Sequence, residues 1–151
     1  MLGDDGIIVI QQNYLVGMLF QNAFDNIVHE HLEYYSLLSL ENLLKRHDLE
    51  VFDVQLNDIN GGSFRTYICH KDKRDIQDSV FALRNSEKLL RLDTKQPYKA
   101  FAKRIKVISE KIYSYIRQMI AEGKSVYTIA ASTRGNTLLQ LEFLRSSCLQ
   151  C

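Results

Sequence analysis

Two of the chain's four histidines stand two residues apart, with a carboxylate between them. His29, Glu30 and His31 are followed closely by Glu33, Tyr34 and Tyr35, so the stretch from Asp25 to Ser36 concentrates the chain's chemical potential. Histidine accepts and returns protons near neutral pH because its ordinary pKa lies there. A neighbouring carboxylate can orient the ring or raise its basicity, and tyrosine hydroxyls can hold a developing oxyanion. These parts suit removal of a proton from a carbon beside a carbonyl. A polar loop whose histidines satisfy backbone groups is the competing reading. Metal binding is not expected. His-x-His on a strand puts two rings on one face, but a zinc site takes three or four protein ligands, and no third stands at a telling distance.

The elements around this stretch must position it. Ile7 to Ile10 is a continuous apolar run, the pattern of a strand covered on both faces in a parallel sheet. Opening on such a strand suggests that a further part of the fold precedes it. Asn13 and Tyr14 lie just past the strand, where open α/β sheets present ligand-binding residues. Leu15 to Phe20 reads as a helical or irregular apolar segment. Ser39 looks like an N-cap with Glu41 in the first helical turn, and Leu40, Leu43 and Leu44 give that helix an apolar face through about His47.

Val51 to Leu56 alternates, with Phe52, Val54 and Leu56 on one face, and Ser63 to Cys69 alternates again. The turn between them, which contains Gly61 and Gly62, predicts an antiparallel pair. Lys71 to Asp75 is a charged break. Ile76, Val80, Leu83 and Leu90 then mark one helix stripe reaching about Leu92. Pro97 suits the first turn of a second helix, whose stripe runs Tyr98, Phe101, Ile105, Ile108, Ile112, Tyr115 and Met119 and ends at Gly123. These two helices are expected to form an antiparallel hairpin. Lys99, Lys103, Arg104 and Lys106 read as its solvated face. Ser125 to Ala130 reads as a strand, Ala131 to Thr137 as a small-residue turn, and Leu138 onward as a helix whose N-terminus could receive an anion.

Composition narrows the function classes. With 151 residues, 46% hydrophobic and 25% charged, the chain is globular in type rather than disordered. Its net charge of +1 argues against a nucleic-acid or membrane partner. Three cysteines, Cys69, Cys148 and Cys151, make an odd count without framework spacing, which suits a reducing compartment. The Cys148 and Cys151 pair lacks a second half-site and reads as part of a tail. With no leader pattern and no apolar run near 18 residues, the expectation is a soluble, cytoplasmic protein.

Four ordered motifs resemble the SAM-dependent C-methyltransferases that act on nucleotide-linked deoxysugars. Asp25-Asn26-Ile27-Val28-His29-Glu30-His31-Leu32-Glu33-Tyr34-Tyr35-Ser36-Leu37 resembles the family's catalytic segment, and Gly6 to Tyr14 the strand and loop before it. Gly61-Gly62-Ser63-Phe64-Arg65 resembles its Gly-Gly-Ser-x-Arg strand. Thr133-Arg134-Gly135-Asn136-Thr137-Leu138-Leu139 resembles its Lys-Gly-Asn-Thr-Leu-Leu turn, with Arg134 in the lysine position.

The resemblance implies an α/β fold in three parts. Residues 1–70 would be the C-terminal part of a class I, Rossmann-like methyltransferase domain, residues 71–123 a helical connection, and residues 124–151 the first βα unit of a second Rossmann-like domain. The family's zinc region and glycine-rich S-adenosylmethionine loop would lie upstream. The implied reaction is deprotonation of a sugar carbon beside a keto group, followed by attack of the enolate on the cofactor's methyl group. His31 would be the base, with Glu30 and His29 as neighbours in the active site. Arg65, Arg134 and Asn136 join Asn13, Tyr14 and Tyr34 as candidate substrate contacts. Val28 stands where the family's deoxysugar enzymes often carry tyrosine. The alternatives are a non-catalytic α/β interaction module that uses the Ile76–Met119 helices, and nucleotide binding through Ser132 to Thr137 alone.

Overall fold

The computed structural model describes residues 2–59, 62–127 and 132–140. Three strands and five α-helices follow one another: β1 Ile8–Asn13, α1 Leu15–Phe20, α2 Leu37–Leu44, β2 Leu49–Asn57, β3 Ser63–His70, α3 Asp78–Leu89, α4 Gln96–Ala121 and α5 Thr133–Gln140. Short 3-10 turns at Phe24–Asn26 and Lys45–His47 lead into the histidine-bearing segment and out of α2.

The strands form a sheet of order β1-β3-β2 in which both pairings are antiparallel. This corrects the parallel, doubly covered setting expected for Ile7 to Ile10. Ile8 and Ile10 pack against the core, whereas Ile7 and Val9 are exposed among the described residues. An apolar run alone does not distinguish a strand covered on both faces from one covered on a single face.

The predicted β2–β3 hairpin is present, but the facing of β2 differs from simple alternation. A bulge between Val51 and Asp53 inserts one extra residue. Val51 and Val54, three apart, both enter the core, while Leu56 is 57% exposed. A bulge resets the two-residue period of a strand, which no local composition announces. At the turn, Ile59 N donates to Asn57 Oδ1 at 3.1 Å, and Ser63 Oγ reaches the same oxygen at 2.7 Å. Gly62 has φ +104°, and a Cβ there would lie 3.3 Å from the Cα of Gly17 in α1. Its carbonyl accepts from Tyr14 N at 3.1 Å. Glycine is needed both for the left-handed backbone and for the close approach of α1.

The first core cluster gathers Tyr14, Val16, Leu37, Leu40, Leu44, Val51, Val54, Phe64, Ile68, Val80 and Leu83. It therefore includes the start of α3, whose entry is tied to β2 by Gln77 N donating to Phe52 O at 2.8 Å. Packing runs unbroken across the charged stretch Lys71 to Asp75. The second cluster joins Met18, Leu19 and Phe24 to Phe101 and Ile105 of α4.

Thus α3 and α4 serve different partners, α3 lying on β2 and α2 and α4 on α1, rather than zipping together as the expected hairpin. Helical periodicity fixes which face is apolar but not which element covers it. Arg104 is not merely solvated. Its guanidinium donates to Leu19 O and Asn22 Oδ1, each at 2.7 Å, satisfying a carbonyl at the end of α1. Beyond Ile105 the α4 stripe is less covered among the described residues, with Ile112 and Tyr115 exposed and Ile108 and Met119 half-buried. Pro97 lies in the first turn of α4 and Gly123 follows its C-cap with φ +76°, both as expected.

Two helix starts are also corrected. α2 begins at Leu37, capped by Ser36, whose side chain accepts from Ser39 N while the Ser39 hydroxyl receives Ser36 N. Ser39 is the third residue of this reciprocal cap, not the cap itself. Glu41 then lies in mid-helix, where Arg84 Nε donates to it at 2.9 Å and ties α2 to α3. α5 begins at Thr133, so most of the expected small-residue turn is helical. Ser125 to Tyr127 carry no strand, and the rest of that expected strand, with Gly61, Cys148 and Cys151, lies outside the described residues. No described helix is long and apolar enough to cross a membrane.

Candidate functional site

The Asp25–Ser36 segment is an irregular crossing pinned at both ends. At its start, the 3-10 turn holds Asn26, which is 4% exposed. At its end, Tyr35 bridges to Tyr14 beside β1, and Leu15 N donates to Tyr35 O at 2.9 Å. Glu87 of α3 completes this anchor. Its fully buried carboxylate accepts from Leu37 N at 2.7 Å, Leu38 N at 2.9 Å and the Tyr14 hydroxyl at 2.9 Å. An anion at the first turn of α2 satisfies helix N–H groups that have no intrahelical partner. Burial, and then the Glu87 charge, push the Tyr14 phenol well above its ordinary pKa.

Between the anchors the segment lines a cleft of about 570 Å³, together with the C-terminal end of β1 and one residue of α5. Gln11, Gln12 and Asn13 come from β1, Asn26, Glu30, His31, Glu33, Tyr34 and Tyr35 from the segment, and Arg134 from α5. His31 Nδ1 lies 3.0 Å from the backbone carbonyl of Asn26. A carbonyl oxygen only accepts, so the contact makes Nδ1 the donor, and in the neutral ring Nε2 would carry the lone pair. The Tyr34 hydroxyl donates to the same carbonyl at 2.9 Å, and its ring meets the imidazole edge-on with centroids 6.2 Å apart. One backbone carbonyl thus holds the His31 imidazole and a ring that packs against it. Glu30 is 3.8 Å from His29, an exposed pair that contributes little.

The structure brings Asn13, Glu30, His31, Tyr34 and Arg134 into one cleft wall. His29 and Asn136 line a neighbouring hollow of about 270 Å³ with Val28, Thr133 and Thr137. Arg134 joins the two halves of this region, donating to Asp25 Oδ2 at 2.7 Å through Nε. Arg65 is not in the cleft wall. It donates to Gln11 Oε1 at 2.7 Å through Nη2, across the β1–β3 pairing, and so steadies a residue that is. Tyr14 is 6% exposed and its hydroxyl is committed to Glu87, so it supports the site from the core instead of facing the cleft. Ser132 Oγ accepts from Gly135 N at 3.1 Å, which caps the N-terminus of α5.

Comparison with known proteins now bears on this geometry. Residues 58–151 match the family described as a C-methyltransferase C-terminal domain, which takes in more than half of the chain. The chain belongs to the C-methyltransferase family. It is also 33% identical over 140 residues to the C-methyltransferase NovU of Streptomyces niveus, a match covering 92% of this chain and 33% of that protein. The chain therefore spans about a third of the length of the curated relative it matches.

Methyltransferases of this family generally use S-adenosylmethionine. β1 passes into α1 through the single buried residue Tyr14, with no glycine-rich turn to cradle it.

Three residues that shape this region escape a reading of sequence alone. Asn26 acts through its carbonyl, which every residue type carries. Gln12 lies in a strand end with no motif of its own. Glu87 did leave a trace, because it falls in step with Val80, Leu83 and Leu90 on the apolar stripe of α3. A carboxylate at a core position signals a buried partner.

Proposed function

We propose that this chain supplies the substrate-deprotonating site of a C-methyltransferase whose substrate is a small keto compound, of the nucleotide-linked keto-sugar class. Its cofactor contacts lie outside the described residues, in keeping with the third of NovU's length that the chain spans. The division into residues 1–70, 71–123 and 124–151 belongs to the same proposal.

His31 is the base. Its Nε2 takes the proton from the carbon beside the keto group, and the C–H electron pair moves onto the keto oxygen as an enolate. The observation that supports this reading is the 3.0 Å contact of His31 Nδ1 with the Asn26 carbonyl, which favours the Nδ1–H tautomer, in a residue that lines the cleft. Tyr34 keeps the ring in place from the same carbonyl. Glu30 stands in the wall beside it, where a carboxylate favours the imidazolium formed by proton transfer. Asn13 and Arg134 are substrate contacts, with Asn136 and His29 reaching from the adjoining hollow. Arg65 acts through Gln11.

The test is exchange of the substrate's acidic C–H with deuterium from solvent, followed by NMR in the full-length protein that carries these residues. His31→Ala is expected to slow exchange on the order of 100-fold or more. Undiminished exchange overturns the assignment of the base. A second measurement addresses the cofactor. Calorimetry on the 151 residues alone is expected to register no S-adenosylmethionine binding, and micromolar affinity would refute that part.

A further inference from the structure

Gln12, a residue of the cleft lining, carries a buried side-chain nitrogen for which the described residues supply no partner. Gln12 precedes the last residue of β1 and pairs with Phe64 in the ladder. Alternation along β1 puts it in step with Ile8 and Ile10, at the strand end where the core meets the cleft. Among the described residues, its Nε2 is the buried side-chain nitrogen or oxygen without a hydrogen-bond partner. Its neighbour Gln11 is engaged by Arg65, so the two adjacent amides are not equivalent. A buried donor without an acceptor costs free energy, and folded proteins retain such groups where another role demands them.

We propose that Gln12 is a further substrate-binding residue, whose amide N–H donates to the keto oxygen of the compound that His31 deprotonates. The inference rests on the reading of His31 as the base. Both residues line one cleft, and Gln12 stands at the C-terminal end of its strand. The last torsion of a glutamine is broad, so a turn of the amide group brings Nε2 towards the space its side chain borders. A neutral amide suits the task. The keto oxygen gains charge as the C–H bond breaks, so a donor aimed at it binds the enolate more strongly than the ketone. A strand in the sheet holds that donor in place before the substrate arrives.

The test compares Gln12→Met with the unaltered full-length protein, using a nucleoside diphosphate-linked keto-deoxysugar as the probe. Methionine keeps much of the length and removes the donor. Solvent deuterium exchange and kcat are expected to fall on the order of 100-fold, with KM changing much less. The melting temperature should stay level or rise, because the variant removes a buried donor and orphans no other group. Rates within twofold of the unaltered protein overturn the proposal. So does a melting temperature that falls along with activity, which would mean that the amide holds the fold through a partner elsewhere. His31→Ala run in parallel separates the two readings. If His31→Ala abolishes exchange and Gln12→Met does not slow it, only the Gln12 proposal fails. If His31→Ala leaves exchange intact, the base assignment fails and this inference falls with it.

Discussion

Replacing Glu87 with glutamine should loosen the end of the Asp25–Ser36 segment without changing its shape. The carboxylate is fully buried and accepts three hydrogen bonds, two from the first turn of α2 and one from Tyr14. Hydrogen bonds to a charged group contribute roughly 1.5–3 kcal/mol each. Glutamine can keep its oxygen where Oε1 stands and continue to accept from Tyr14 and Leu37, at the strength of a neutral bond. Its NH2 group must then face Leu38 N–H, donor against donor. One bond is lost outright and two are weakened to neutral strength, which sets the expected cost at about 3–6 kcal/mol. Against a total stability of roughly 5–15 kcal/mol, that is a large fraction. Urea denaturation of the purified protein, followed by circular dichroism, measures it as a lower midpoint at an unchanged slope. A double-mutant cycle with Tyr14→Phe should return a coupling of about 0.5–3 kcal/mol. A Glu87→Gln midpoint equal to that of the parent would refute the reasoning, because the buried carboxylate would then not be what holds α2 and the segment before it.

Further outcomes follow from neighbouring contacts. The Tyr14 proton is retained in the fold above its ordinary pKa, whereas the unfolded chain releases it near pH 10. Its contribution to stability is therefore complete below about pH 10 and declines as pH rises above that value, by up to about 1.4 kcal/mol per unit. Tyr14→Phe should flatten that alkaline decline in a series of denaturation curves. Gly62→Ala forces a side chain into a left-handed backbone beside Gly17, and about 1–3 kcal/mol of destabilisation is expected by thermal melting. Asp25→Asn and Arg134→Ala should show a coupling of roughly 0.2–1 kcal/mol that shrinks in high salt, as suits a partly exposed pair.

The hairpin, α3 and α4 were legible because they are local. Alternation over Ser63 to Cys69, the stripe from Ile76 to Leu90 and the steps from Tyr98 to Met119 each record one element's own period. The caps were partly legible. Pro97 and Gly123 bracket α4 as their backbone preferences demand, whereas Ser36 and Ser39 both look like caps and only the start of the helix decides between them. The facing of β2 was not legible, because the bulge between Val51 and Asp53 shifts its period without any composition signal.

The segment from Asp25 to Ser36 follows the same division. The sequence by itself determined which residues gather there, and the family to which they belong. It did so because histidines, carboxylates and tyrosines close in the chain remain close in space. The tertiary structure alone determined what each of them faces. His31 is held by a backbone carbonyl, Tyr34 by the same carbonyl, and Tyr14 by a carboxylate 73 residues away. A backbone oxygen looks alike at every position, and a contact across that distance arises only when α3 folds back over the sheet.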